Sequence, residues 1–444
     1  MTAATVNPER PLAERERHLA DARRLDGAVP DFVRALRQRG AEHFAGLGFP
    51  TPQLEDWKYT NLAPLARQTF SLPDAAVPIA AARLAQAAHL GEAIELVFIN
   101  GRYAPLLSSL ANLPPGAVVG SLGEAMVHHA ELVGPHLGTL VTPDSDGTAA
   151  LNAAFTADGA FVFVPGGVAL ALPIHCLFVS AANGTATVTH PRTLIVAGAG
   201  SRATVIEQHL GSGTYWTNAV TEIALGAGAA LMHHKVQRES ASAYHLATIS
   251  AAQAADSQLD SHAVSLGAIL ARVDLTTRLD APDAACSFAG LYLAGERQHV
   301  DHHTTIDHRR PRGTSRELYK GILAGRASGV FNGKVLVRPD AQKTDAQQMN
   351  QNLLLSDDAQ IDTKPQLEIF ADDVKCSHGA TIGQLDDDAV FYLRARGIDL
   401  ADARRLLIHA FANELVQRVA TAPLRHQLEA VLAERLPVLV GEQP

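Results

Sequence analysis

The hexapeptide Ile195-Val196-Ala197-Gly198-Ala199-Gly200 returns 28 residues later as Ile223-Ala224-Leu225-Gly226-Ala227-Gly228. Around this pair, turn-forming residues recur about every 14 positions: Gly184, Gly198, Gly211-Ser212-Gly213, Gly226, Ser240, Asp256, Gly267, Pro282-Asp283, Gly295, Pro311, Gly325 and Pro339-Asp340. Between them lie strand-length segments with alternating character. Ala271, Val273, Leu275, Thr277 and Leu279 leave one face, and Leu270, Arg272, Asp274, Thr276 and Arg278 the other. Two strands and two turns per period describe one coil of a β-solenoid, which cannot bury its inner face alone and must stack on its neighbours. An antiparallel sandwich also spaces its strands evenly, but does not need matched turns at every second strand. A flattened parallel β-helix is therefore expected over residues 159–382.

Outward from this core the periodicity changes. Residues 1–90 read as a helical region, with Phe32, Val33, Leu36 and Phe44 on one helix that Gly46, Gly48 and Pro50 end. A loop follows, Glu55-Asp56-Trp57-Lys58-Tyr59-Thr60-Asn61-Leu62, whose Trp and Tyr are expected to anchor it. Residues 91–158 read as a mixed lead-in, with a strand at Glu95–Asn100 and short helices near Ser121–Leu132 and Thr148–Phe155. Residues 383–444 return to helix. Ala403, Leu406, Leu407, Ala410 and Phe411 form one stripe there, and Leu424, Leu428, Val431 and Leu432 another.

Composition narrows the classes of function. Hydrophobic residues make up 47% of the 444-residue chain and charged residues 19%, which fits a globular protein with a large core. A formal charge of -9 argues against a nucleic-acid partner. No apolar run reaches the roughly 20 residues of a membrane span, and Met1–Arg24 has no apolar core of export-signal length, so a cytoplasmic protein that does not engage membranes is expected. The three cysteines, Cys176, Cys286 and Cys376, are scattered and without any C-x-x-C, as in a reducing compartment. No phosphate-binding G-x-x-x-x-G-K-[ST], dinucleotide-binding G-x-G-x-x-G or nucleophile-elbow G-x-S-x-G is present, and no catalytic residues are assigned.

Two polar clusters stand out. In His299-Val300-Asp301-His302-His303-Thr304-Thr305-Ile306-Asp307-His308, a strand would put His299, Asp301, His303 and Asp307 on one face. A metal could in principle sit there, although a solvated or interface face is the plainer reading. In Val374-Lys375-Cys376-Ser377-His378-Gly379-Ala380-Thr381, Cys376 and His378 share a face and make half of a metal site. The carboxylates Asp340, Asp345, Asp357, Asp358 and Asp362 would suit a polysaccharide hydrolase, but 5% aromatic content leaves few platforms for sugar rings.

Several stretches together resemble the SufB/SufD family of iron-sulfur cluster assembly proteins. They are Ser315-Arg316-Glu317-Leu318-Tyr319-Lys320-Gly321, Gly329-Val330-Phe331-Asn332-Gly333-Lys334, the run from Asp340 through Ser356, Pro365-Gln366-Leu367-Glu368-Ile369, Val374 through Thr381, and Phe391-Tyr392-Leu393-Arg394-Ala395-Arg396-Gly397-Ile398. Glu55-Asp56-Trp57-Lys58-Tyr59-Thr60 resembles the N-terminal signature of the SufD branch. SufB-type chains carry His-Glu-Ala-Thr where this chain has His378-Gly379-Ala380-Thr381, so a cluster-building carboxylate is replaced by Gly379, which again favours SufD. The resemblance implies a right-handed parallel β-helix flanked by N- and C-terminal helical regions, acting as a non-enzymatic scaffold. It implies pairing with a SufB-like chain through the β-helix, with a homodimer as the alternative when that chain is absent. It also implies that a SufC-like ATPase binds the C-terminal helices. His378, and Cys376 second, would then face a transient iron-sulfur cluster or iron shared with SufB. A reduced flavin belongs to the family's complex, but no flavin motif is legible in this chain. A self-assembling SufB-like scaffold, a purely structural β-helix and a carbohydrate-active β-helix enzyme are the alternatives.

Overall fold

A computed structural model describes residues 10–25, 29–74, 78–110 and 113–439; the outer ends of the expected 1–90 and 383–444 regions lie outside them. From Arg192 onward, successive strands alternate between two sheets. One sheet runs from Arg102–Tyr103 through Ile94–Ile99, Ile174–Ala181, Arg202–Ser212, Ala230–Arg238, Gln258–Ser265, Ala285–Ala294, Thr314–Leu323 and Asp345–Leu354 to Lys375–Gly383. The other runs from Val118–Ser121 through Ala160–Val164, Arg192–Ala197, Tyr215–Leu225, Tyr244–Gln253, Leu270–Leu279, His299–His308 and Ser328–Val337 to Gln360–Ile369. All neighbours are parallel except the outermost pair at the N-terminal end of each sheet. The fold is the expected parallel solenoid.

The repeat that suggested the fold is one coil. Ile195 lies in direct register with Ile223, and Gly226 N–H donates to Ala197 O at 2.8 Å. A Cβ at Gly226 would fall 2.7 Å from Ala199 N, so the two turns stack backbone to backbone. Inside, Ile195, Val205, Ile223, Leu231, Ile249, Leu259, Val273, Leu275, Phe288 and Val300 belong to one continuous buried core. The inward positions are the alternate residues expected for the Leu270–Leu279 strand.

Two helical layers cover the solenoid. At the N-terminal end the helix Asp31–Leu47 buries Val33, Leu36, Gly40 and Phe44. It meets the helix Gly147–Ala154 so closely that a Cβ at Gly40 would lie 2.4 Å from Ala154 N. Asp146 caps that second helix, its carboxylate accepting from the N–H groups of Thr148 and Ala149. At the other end the helices Leu400–Val416 and Ala422–Leu439 lie on the outer face of the first sheet, over Val236, Val264, Leu291, Leu293 and Ile322. Leu424, Leu428, Val431 and Leu432 are buried there as expected. The stripe read into the preceding helix is corrected. Its buried residues are Ala403, Ile408, Ala412, Leu415 and Val416, while Leu406 stays 49% exposed. Among the described residues no helix is long and apolar enough to cross a membrane.

Candidate functional site

The last coil differs from those behind it. The strands Gln360–Ile369 and Lys375–Gly383 each hydrogen-bond to a preceding strand, and among the described residues nothing pairs with their other edge. Their inward side chains have no next coil to bury them, so strands of this coil are half-buried or exposed where earlier ones are closed. Phe370 and Ile382 are left 60% and 52% exposed. A long unpaired edge with apolar side chains is a template for another chain.

Cys376 and His378 sit on this edge, both on the inner face, in register with Ala346 and Gln348 of the coil behind. Cys376 is half-buried against Val335, Val337, Ala346 and Leu367, and His378 is exposed. Burial pushes the Cys376 thiol up, with Asp345 adding to it and a backbone bond from the Ala346 rung opposing. It therefore becomes a thiolate ligand only by releasing a proton as metal binds. A side chain at 379 would leave the opposite, outer face, since a Cβ on Gly379 meets Met349 Cε at 3.0 Å and Sδ at 3.1 Å. Among the described residues no group of three or more His, Cys, Asp or Glu is arranged to hold a metal ion. The edge places one thiol and one imidazole side by side on the inner face of an unpaired strand.

The His299–His308 strand takes up a different task. Asp301, buried, accepts from Thr60 and from Arg272 Nη1 at 2.8 Å, and His303 Nε2 lies 3.1 Å away. Burial opposes its charge, but Arg272 and His303 hold the carboxyl well below its ordinary range. Trp57 stacks on the Arg272 guanidinium at 3.8 Å and Arg272 Nη1 donates to Asp56 O at 2.7 Å. The Glu55–Thr60 loop is thus lashed across the outer face of the second sheet. Trp57 anchors it as expected, while Tyr59 is 40% exposed and does not. Thr60→Val removes a hydroxyl donor from a buried carboxylate and should cost about 1.5–3 kcal/mol, read as a lower urea midpoint and faster proteolysis at residues 54–60.

The lumen holds polar groups that the sequence reading missed. Glu207, His209, His233, Lys235, Glu239 and His245 are all buried. Burial opposes charge on Glu239, but His245, His209 and Thr217 hold it at about 2. Burial holds His209 at about 3, and His18, His262, His302 and His308 at about 4. Each of these five titrates higher when unfolded, near 6.5, so the unfolded chain binds more protons between those values. The contribution of these five is full above pH 6.5 and is lost as pH falls towards 4. Glu317 runs the other way: burial raises it to about 7, so its contribution falls as pH rises from about 4.5. His303, Asp146 and Asp260 are raised too, while His136, His190, His234, His245 and His299 are lowered like the five. The lowered imidazoles prevail, and the unfolding free energy should drop between pH 6.5 and 4.5 by up to ~1.4 kcal/mol per pH unit for each group. A flat profile across that window would contradict the buried neutral imidazoles.

The chain is thus a parallel β-solenoid whose unpaired last coil carries a thiol and an imidazole, with two helices on the outer face of its first sheet. The chain matches the SufBD core domain of the SUF system for FeS cluster assembly over residues 178–411, and the SufBD protein N-terminal region over residues 19–176. It belongs to the SufBD family of iron-sulfur cluster assembly proteins. It is 37% identical to an iron-sulfur cluster assembly SufBD family protein of Synechocystis over 424 residues, 93% of each chain. With the iron-sulfur cluster assembly protein SufD of Escherichia coli it shares 33% identity over 405 residues, 90% of this chain and 92% of that one. A chloroplastic protein of Arabidopsis thaliana is 32% identical over 340 residues, 74% of this chain and 71% of its own.

Proposed function

We propose that the chain is a non-enzymatic scaffold subunit that meets a SufB-like chain at its open solenoid end and contributes His378, with Cys376 second, to a nascent iron-sulfur cluster or iron held between them. The observation that carries this reading is the unpaired last coil with both donors on its inner face. Thiolate sulfur and imidazole nitrogen are both competent ligands for iron in such clusters. One thiol and one imidazole leave a cluster short of ligands, so the remainder comes from the partner.

The C-terminal helical region, 383–444, is the proposed seat of a SufC-like ATPase. Phe391 and Tyr392 on the helix Asp387–Arg394 are 73% and 56% exposed, and Leu400 and Leu406 stand out beside them on the next helix. The same helices are fixed to the solenoid, where Lys320 Nζ donates to Glu414 Oε2 at 2.5 Å and to Phe411 O at 3.2 Å. A movement imposed by a nucleotide cycle would therefore reach the coils directly. A reduced flavin, if the complex uses one, has no assigned residues in this chain.

Co-expression with a SufB-like chain and a SufC-like ATPase, followed by anaerobic iron and sulfide analysis, tests the reading. The expected result is a co-purifying complex that accumulates both elements. A chain that purifies alone or as a homodimer in the presence of both partners would overturn it.

A further inference from the structure

Behind His378 the inner face carries a row of polar residues that the proposed ligand role does not yet use. Glu317, Gln348 and His378 are direct register partners on three successive strands, Thr314–Leu323, Asp345–Leu354 and Lys375–Gly383. Gln348 is 2% exposed, and its Nε2 donates to Glu317 Oε2 at 2.6 Å. Its Oε1 is buried and accepts no hydrogen bond from the described residues. An orphaned buried carbonyl is costly and marks a place where a donor is expected.

The opposite sheet makes room for this amide. A Cβ at Gly333 would lie 2.2 Å from Gln348 Nε2 and 2.9 Å from Cδ, so a side chain there would displace the Gln348 amide from the position it holds. With Nε2 committed to the coil behind, the planar amide turns Oε1 away from Glu317. The next residue in the row is His378, exposed only because the solenoid ends there. We propose that when a partner chain covers the open end, one ring N–H of His378 donates to Gln348 Oε1, which fixes the tautomer and leaves the other ring nitrogen's lone pair for iron. Gln348 is then a positioning residue and Glu317 its anchor. Such supports of a metal-binding histidine set ring orientation and which nitrogen is free. The inference rests on the ligand role proposed above for His378.

The test uses the assembled, iron-free complex with 15N-histidine in this chain alone, at a pH where imidazole is neutral. Solid-state 15N spectra identify the His378 signals by their loss in His378→Asn. The wild type should give one tautomer, with one protonated and one bare ring nitrogen, and Gln348→Leu a mixture. Glu317→Leu, which keeps Gln348 but frees its amide, should give the same mixture if Gln348→Leu does not fold. Glu317→Gln retains an acceptor oxygen and should restore the single tautomer. Cluster yield after iron and sulfide loading should fall about tenfold in the two Leu variants. A single tautomer and full yield in folded Gln348→Leu or Glu317→Leu overturns the inference, while full yield in His378→Ala overturns the ligand role itself.

Discussion

Glu222→Ala should destabilise the N-terminal half of the protein by about 3–5 kcal/mol, the cost of leaving a buried charge without its partner. Arg192 and Glu222 are both fully buried, and Arg192 Nε and Nη2 donate to Glu222 Oε1 at 3.0 and 2.7 Å. The carboxylate also accepts from Gly138 N–H at 2.8 Å, Leu140 N–H at 2.9 Å and Val141 N–H at 3.2 Å. Arg192 reaches on to Asn152 Oδ1 and Val141 O, each at 3.0 Å. One ion pair thus fastens the 138–141 loop and the helix Gly147–Ala154 to the second sheet, and truncating Glu222 strands a guanidinium and three backbone donors. Urea unfolding followed by tryptophan fluorescence reads this region, because Trp216 lies on the same strand as Glu222. The double substitution Arg192→Met with Glu222→Leu should recover only the part due to the unpaired guanidinium, because the Gly138, Leu140 and Val141 N–H groups and the acceptors Asn152 Oδ1 and Val141 O still lose their partners. A loss under about 1 kcal/mol in Glu222→Ala would mean that the pair contributes little here.

His378→Ala should lower iron and sulfide accumulation by the assembled complex by about 100-fold or more, since it removes the proposed ligand, where loss of a mere support costs 10–100-fold. The side chain is exposed on an unpaired edge, and no folding defect is expected from its removal. Cys376→Ser should lower accumulation less. Its thiol is half-buried and pushed up by burial, so part of any binding energy goes into deprotonating it. Equal yields from His378→Ala and wild type, with complex assembly intact, would remove this chain from the cluster's ligand set.

The solenoid was legible because stacked coils demand turns of matching length at each second strand, and Ile195 and Ile223 do pair directly. The signal faded in later coils for a physical reason. Gly200 and Gly228 hold a left-handed turn position that Asp256, Asp283, Arg312 and Lys343 occupy further on. An L-residue there costs about 1–2 kcal/mol, offset in part by backbone bonds between coils and by Arg312 Nε to Asp283 Oδ1 at 2.7 Å. Offsets between paired coils vary as well, from 26 at Tyr244–Leu270 to 33 at Phe161–Leu194.

Local parity placed Cys376 and His378 on one face, and did the same for His299, Asp301 and His303. Their partners were not legible, since Thr60 lies 241 residues from Asp301 and Arg272 belongs to the strand before. The helix at 400–416 carries apolar residues on more than one side, so periodicity chose Leu406 where packing chose Ile408 and Ala412. Glu317 and Gln348 escaped notice because covered sheets carry polar and apolar residues on both faces, and alternation alone does not say which face is inside.

Pulsed EPR on the reduced, cluster-loaded complex, with 15N-histidine in this chain only, tests the shared-site claim directly. The expected spectrum contains a 15N hyperfine coupling from one histidine that disappears in His378→Ala. A loaded cluster with no 15N coupling from this chain would contradict it.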